Sequence, residues 1–242
     1  MISFQTIRMV TDELNAFFRK NGVRYHYGMT TNGSLLECDK IEYLLSNKFD
    51  FFQITLDGGP KTHNKYRPFL NNTPSWNVIT KNLLYMREQK EIFKVQIRVN
   101  YNAETFEDLD TLIDFIFHNL DERFTIFYHG IGKWGGKNDC NIDTFDNNME
   151  VIARLMLIES TIEKQVNPEM NFSCYNPKRH MCYAGSPYHF TIGSDGKLRK
   201  CSEEGGESDT FNIVGTIENG RFEYNISKWS AFVLPGGAAG LE

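Results

Sequence analysis

Phe51-Phe52-Gln53-Ile54-Thr55-Leu56-Asp57-Gly58-Gly59-Pro60 is the stretch that decides the fold class. Its first six residues form an apolar run too short for a helix, and the run ends in a turn signal. That combination reads as a buried strand feeding a loop. After an irregular stretch, Trp76 to Gln89 places Ile79, Leu83 and Met86 on one helical face. Ile92 to Asn100 then alternates apolar residues as a second strand. Thr105-x-x-Asp108 suits a capping box for a helix bearing Leu109, Leu112, Ile113 and Ile116. Phe124 to Tyr128 reads as another strand, and a longer helix is expected from about Thr144 to Lys164. Upstream, Cys38 to Ser46 reads as a helix and Val23 to Met29 as extended. Residues 2–20 read as a helix with Ile7, Val10, Leu14 and Phe17 on its apolar face, stopping at Asn21-Gly22.

Strand–helix alternation with apolar strands points to βα units on a parallel sheet. A helix precedes the first strand, so the sheet is expected to present an open edge that something caps. After about Val166 the pattern changes. Residues 190–199 read as a hairpin turning at Asp195-Gly196, and Asn212 to Ile217 as a further strand. The expected division is an α/β part over 1–168, a small β-rich appendage over 169–234, and a linker or cloning scar over 235–242.

Composition narrows the function classes. Of the 242 residues 40 % are hydrophobic and 24 % charged, which supports a sizeable core rather than disorder. The net charge of -5 argues against a nucleic-acid partner. The absence of a long apolar run argues against a membrane span, and the N-terminus lacks a signal-peptide pattern, so a soluble cytoplasmic protein is expected. The five cysteines, Cys38, Cys140, Cys174, Cys182 and Cys201, are widely spread, which excludes a disulfide scaffold. Cys38, beside Leu35, Leu36 and Ile41, is expected to pack in the core; Cys140 and Cys174 are left open.

Turns after parallel strands are where such folds place chemistry. Thr30-Thr31-Asn32-Gly33 offers two hydroxyls, an amide and a glycine, suited to a ribose or an amino-acid group. It equally suits an ordinary strand-to-helix turn capped by Asn32 or Ser34. Asp57 at a strand end suits an ammonium, and Arg67 a bidentate carboxylate clamp; a solvated turn and a surface arginine are the plainer alternative. Arg98 and Asn100 share one face of their strand and must meet water, a partner or a pocket. Cys182 and Cys201 flank the hairpin, which would bring two thiolates together as a shared cluster requires.

In this order and spacing, Thr30 to Gly33, Thr55-Leu56-Asp57-Gly58 with His63 and Arg67, and Arg98-Val99-Asn100 resemble the middle of a radical S-adenosylmethionine enzyme. Cys182-x13-Gly196-x4-Cys201 resembles the opening of a SPASM domain, the auxiliary-cluster module of peptide- and protein-modifying members. The resemblance covers roughly residues 1–230. It implies a partial (β/α)6 TIM-like barrel missing its first strands, and a truncated SPASM-like region. S-adenosylmethionine and [4Fe–4S] clusters are implied for the complete parent, with a peptide or protein substrate. Thr30, Thr31, Asn32 and Gly33 would line the nucleoside, and Asp57, Arg67 and Arg98 the amino-acid part. Cys182 and Cys201 would ligate an auxiliary cluster.

The family's Cys-x3-Cys-x2-Cys loop, its Gly-Gly-Glu-Pro motif and the later SPASM cysteines are not in this sequence. The chain by itself is therefore expected to bind neither cofactor stably and to perform no radical chemistry. Ser202 and Glu203 follow the second cysteine, where sulfatase-maturing relatives carry an acidic residue directly, which puts another peptide or protein modification ahead. Two other readings stand beside this one. The first is a non-enzymatic peptide- or nucleotide-binding module that self-associates through its open sheet edge. The second is an unrelated α/β enzyme using Asp57 and His63 as an acid–base pair.

Overall fold

The computed structural model describes residues 3–102, 105, 108–132, 155–158, 160, 183–201 and 211–233. The chain divides into two units, Met1–Tyr175 and Asn176–Glu242.

In the first unit, strands β1 (Tyr27–Thr31), β2 (Phe49–Thr55), β3 (Lys94–Tyr101) and β4 (Phe124–Gly130) form one parallel sheet in the order β1-β2-β3-β4. The expected α/β class with a parallel sheet is therefore present. One face carries Phe52, Ile54, Val95, Ile97, Val99 and Phe124, all fully buried. Against it pack α2 (Cys38–Ser46), α4 (Trp76–Arg87) and α5 (Leu109–Asn119) through Ile41, Leu44, Ile79, Leu83, Met86, Leu109 and Leu112. Helices on one face are what βα crossovers produce.

The other face is different. Register aligns Thr30, Gln53, Gln96 and Thr125 in one row, with Thr55, Arg98 and Phe127 in the next. Gln53 Nε2 donates to Gln96 Oε1 at 2.8 Å. Parallel sheets ordinarily bury both faces in apolar side chains, so a polar second face marks a surface kept for something other than core packing.

Helix α1 (Phe4–Lys20) begins at Ser3, whose Oγ accepts the Thr6 amide at 3.1 Å, and ends at Asn21 before Gly22 at φ +62°. Its seating corrects the expectation from periodicity. Thr11 and Asn15 are its buried residues, whereas Val10 is 46 % and Phe17 57 % exposed. Polar contacts decide this: Asn15 donates to Asn47 Oδ1 at 2.9 Å and accepts from the Tyr27 hydroxyl at 3.1 Å.

Four further expectations change. The stretch after Gly59 is not irregular throughout but contains α3 (Pro60–Tyr66), with Gly59 as N-cap and Pro60 in its first turn. The capping box Thr105-x-x-Asp108 does not form. Thr105 instead pairs reciprocally with Asn102, each accepting the other's main-chain N–H, at 2.7 and 2.9 Å. Asp108 turns to α3, where it accepts the Thr62 amide at 3.3 Å. Cys38 is exposed rather than packed in the core, because α2 starts there and buries Ile41, Leu44 and Leu45 one turn later. The N-cap of α2 is Glu37, not Asn32 or Ser34.

In the second unit, β5 (Thr191–Ile192), β6 (Lys197–Arg199), β7 (Ile213–Glu218) and β8 (Arg221–Tyr224) form an antiparallel sheet, followed by α6 (Ile226–Val233). The expected hairpin turns at Asp195-Gly196, with Gly196 at φ +73°. Asn219 and Gly220, both at positive φ, make the β7–β8 turn. Most of the helix expected over 144–164, with Cys140, Cys174, Cys182, Ser202, Glu203 and the 235–242 tail, lies outside the described residues. No helix among the described residues is long and apolar enough to cross a membrane.

Candidate functional site

At the C-terminal ends of the strands, the polar face opens into a cleft of about 540 Å³. Thr30, Thr55, Asp57, Arg67, Arg98 and Asn100 line it, with Tyr66, Thr105 and His129. That volume lies within the range of small-molecule sites, roughly 300–1,000 Å³. The sequence placed Asp57, Arg67, Arg98 and Thr30 in one site, and the structure brings these four together.

Asp57 organises the cleft. Its carboxylate is 6 % exposed and engaged on both oxygens. Oδ2 accepts Arg67 Nε–H, and Oδ1 accepts the Asn100 amide at 2.8 Å and Asn100 Nδ2 at 3.0 Å. Asn100 in turn accepts Arg98 Nε–H at 2.9 Å. Two guanidinium groups are thus aimed by one buried carboxylate, the first directly and the second through an amide. Arg67 stays 42 % exposed, so its terminal nitrogens remain accessible to an anion.

The rest of the first turn separates. Thr31 and Asn32 line a second, apolar groove of about 660 Å³ beside β1, with Ile7, Val10 and Leu14 of α1. Asn32 Oδ1 accepts the Ser34 amide and hydroxyl at 3.1 and 2.9 Å, a local turn. Gly33 lines neither space. It sits at φ +77° against Ile54 and Ile79, and its carbonyl accepts Asn82 Nδ2 at 2.8 Å.

His63 does not reach the cleft. It is fully buried; Nδ1 accepts the Asp57 amide at 3.2 Å and Nε2 faces Ser75 Oγ at 3.0 Å. Burial pushes its pKa down to about 4, opposed by the Asp57 charge and assisted by Arg67. An acid–base pair of Asp57 and His63 is thereby corrected, because Asp57 meets His63 through its main chain. The unfolded chain takes up this proton near pH 6.5 and the folded one only near 4, so stability present above pH 6.5 is lost as pH falls to 4. The loss from this residue is expected to reach roughly 3 kcal/mol. Urea unfolding of wild type and His63→Gln across that window checks it; equal pH slopes would contradict it.

In the second unit, Cys201 is a half-buried free thiol at the end of β6. Asn212, fully buried, accepts the amides of Lys200 and Cys201 at 3.0 and 2.8 Å and donates to the Cys201 carbonyl at 2.8 Å. Lys200 is buried too, its ammonium bonded to the carbonyls of Ser186 and His189. Among the described residues no cluster of three potential metal ligands occurs.

Sequence reasoning missed Tyr66, Thr105, His129 and Ser75. Only His129 carries a sequence signal, a histidine directly after the strand expected over Phe124 to Tyr128.

No family model matches the chain. The cysteine-type anaerobic sulfatase-maturating enzyme of Clostridium novyi (strain NT) is 29 % identical over 110 residues, covering 46 % of this chain and 28 % of the relative. Native anSMEcpe with bound AdoMet and Cp18Cys peptide superposes with a TM-score of 0.65 at 14 % identity, over 92 % of this chain and 62 % of that one. Streptococcus suis SuiB bound to S-adenosylmethionine gives 0.51 at 18 % identity, over 88 % and 50 %. The chain thus spans under two thirds of each. The structural likenesses carry the fold. With the sequence match, they meet the resemblance read from the motifs: the chain is similar to the radical S-adenosylmethionine enzymes of the SPASM type.

Proposed function

We propose that this chain supplies the core of a radical S-adenosylmethionine enzyme acting on a peptide or protein. In this reading the first unit is a partial (β/α)6 barrel over 1–168 and the polar face is its lumen. A SPASM-like region covers 169–234, and the protein is cytoplasmic. The observation that carries the proposal is the convergence of Thr30, Asp57, Arg67, Arg98 and Asn100 at the C-terminal ends of a parallel sheet.

The cleft fits S-adenosylmethionine on its own chemistry. Arg98 and Arg67 offer guanidinium donors to the carboxylate, Thr30 and Thr55 offer hydroxyls, and the volume suits a nucleoside-sized ligand. When bound beside a reduced cluster, this cofactor supplies a 5′-deoxyadenosyl radical for hydrogen abstraction. The chain's own residues orient the ligand: Asp57 fixes Arg67 and Asn100, and Asn100 fixes Arg98. Of the turn proposed to hold the nucleoside, Thr30 lines this cleft, whereas Thr31 and Asn32 line the neighbouring groove and Gly33 neither. For iron the described residues offer less. Cys201 is presented by Asn212, Cys182 lies outside them, and one thiolate does not hold a cluster.

As the chain stands, without the Cys-x3-Cys-x2-Cys loop, it is proposed to produce no radical. Anaerobic reconstitution with iron, sulfide and S-adenosylmethionine is expected to yield no 5′-deoxyadenosine; its formation would overturn this. Among peptide substrates, Ser202 still places sulfatase maturation second. The apolar groove and the outer edge of β1 favour one other reading, a binding module that self-associates there. A single defined oligomer that ignores S-adenosylhomocysteine would favour that module.

A further inference from the structure

Four hydrogen bonds around the base of the cleft close into a ring. The Asp57 amide donates to His63 Nδ1 at 3.2 Å, and His63 Nε2 lies 3.0 Å from Ser75 Oγ. Ser75 Oγ donates to the Arg67 carbonyl at 2.6 Å, and Arg67 Nε–H returns to Asp57 Oδ2. The direction of the ring at His63 is set by the Asp57 main-chain N–H. A main-chain N–H can only donate, so Nδ1 must accept, and Nε2 therefore carries the proton given to Ser75. A neutral imidazole is the side chain that accepts on one edge and donates on the other at this span. Protonation would set Nδ1–H against the Asp57 N–H.

We infer that His63, through Ser75, is a positioning residue that fixes the entry of Arg67 into the cleft. Neither His63 nor Ser75 lines the cleft, so they act on it only through the residues they hold, Asp57 and Arg67. Arg67 is the C-cap of α3, the point where a helix end is otherwise free to fray. Here its amide donates to the His63 carbonyl at 2.8 Å, its carbonyl accepts from Ser75, and its side chain is held by Asp57. The ring itself is immobilised. His63 meets Trp76 edge-on with centroids 5.8 Å apart, and Asn64 Oδ1 accepts the amides of Ser75 and Trp76, both at 3.0 Å. The charged groups facing His63 are Asp57 and Arg67. A guanidinium restrained at main chain and side chain loses less freedom on taking an anion, which is how preorganisation raises affinity.

The ligand part of this inference rests on the proposed S-adenosylmethionine site; the positioning part does not. The test uses the full chain labelled at arginine Nε, with S-adenosylhomocysteine as probe. Ser75→Ala is expected to speed Arg67 Nε–H exchange about tenfold and weaken the probe three- to tenfold. Arg98 Nε–H, held by Asn100, stays unchanged, and Ser75→Thr restores both values. Unchanged Arg67 exchange in folded Ser75→Ala overturns the inference. So does unchanged probe affinity when exchange has quickened. A wild type that ignores the probe defeats the reading of the cleft, and Arg67 exchange then decides positioning alone. Should Ser75→Ala not fold, the wild-type imidazole decides: nitrogen shifts with bare Nδ1 and protonated Nε2 at neutral pH support the inference, and the opposite tautomer overturns it.

Discussion

Asp57→Asn is expected to lower the unfolding free energy of the first unit by about 2–3 kcal/mol and to release Arg67, while Arg98 stays held by Asn100. The replacement keeps shape and one oxygen, so the Asn100 amide retains its acceptor. The new Nδ2 then faces Arg67 Nε–H, setting donor against donor where the buried carboxylate had paired a cation. A fully buried pair would lose more on being broken. Arg67 is 42 % exposed and recovers part of its solvation, which holds the figure down. Urea titration of both proteins measures it. A loss below about 0.5 kcal/mol would mean that Asp57 does not anchor the site.

Gly33→Ala is expected to cost about 3 kcal/mol, with Gly22→Ala as its control at about 1 kcal/mol. Both glycines sit in the left-handed region, at φ +77° and +62°. A Cβ on Gly22 meets nothing within 4 Å, so only backbone strain is added. A Cβ on Gly33 falls 2.8 Å from Ile54 Cγ2 and 3.3 Å from Ile79 Cγ2. Those isoleucines are buried between sheet and helix and have nowhere to retreat. Equal losses in the two variants would remove packing from the explanation and return Gly33 to the role of a ligand-approach glycine.

The contrast shows what a sequence reveals and what it withholds. β2 and β3 were legible because Phe52-x-Ile54 and Val95-x-Ile97-x-Val99 carry the period of a pleated strand. The same alternation put Arg98 and Asn100 on one face, and the polar face of the sheet follows from it. Helix α1 was legible as a helix but not in its orientation. Periodicity finds an apolar stripe, and nothing in the stripe says that Asn15, Asn47 and Tyr27 would seat the flank beside it.

Helix α3 was hidden by its polar run Lys61-Thr62-His63-Asn64-Lys65, although Gly59-Pro60 was the available start signal. The β7–β8 hairpin also had its signal in Asn219-Gly220. Asp57 and Arg67 were each legible as polar residues near a strand end, but their pairing was not. Ten residues apart with a helix between, they meet only because α3 turns the chain back. Ser75, a serine before a helix, carries no mark of its place in the ring.

The central claim is that the polar cleft, not the apolar groove, takes the nucleoside and amino-acid parts of S-adenosylmethionine. Titrating the full chain with S-adenosylhomocysteine, following arginine Nε–H and amide resonances together, tests it most directly. The account predicts saturable shifts at Arg67, Arg98 and Asn100, and about tenfold weaker binding in Arg98→Ala. Shifts confined to Ile7, Val10, Leu14 and Gly28 along the groove, or no saturable shifts at all, would contradict it.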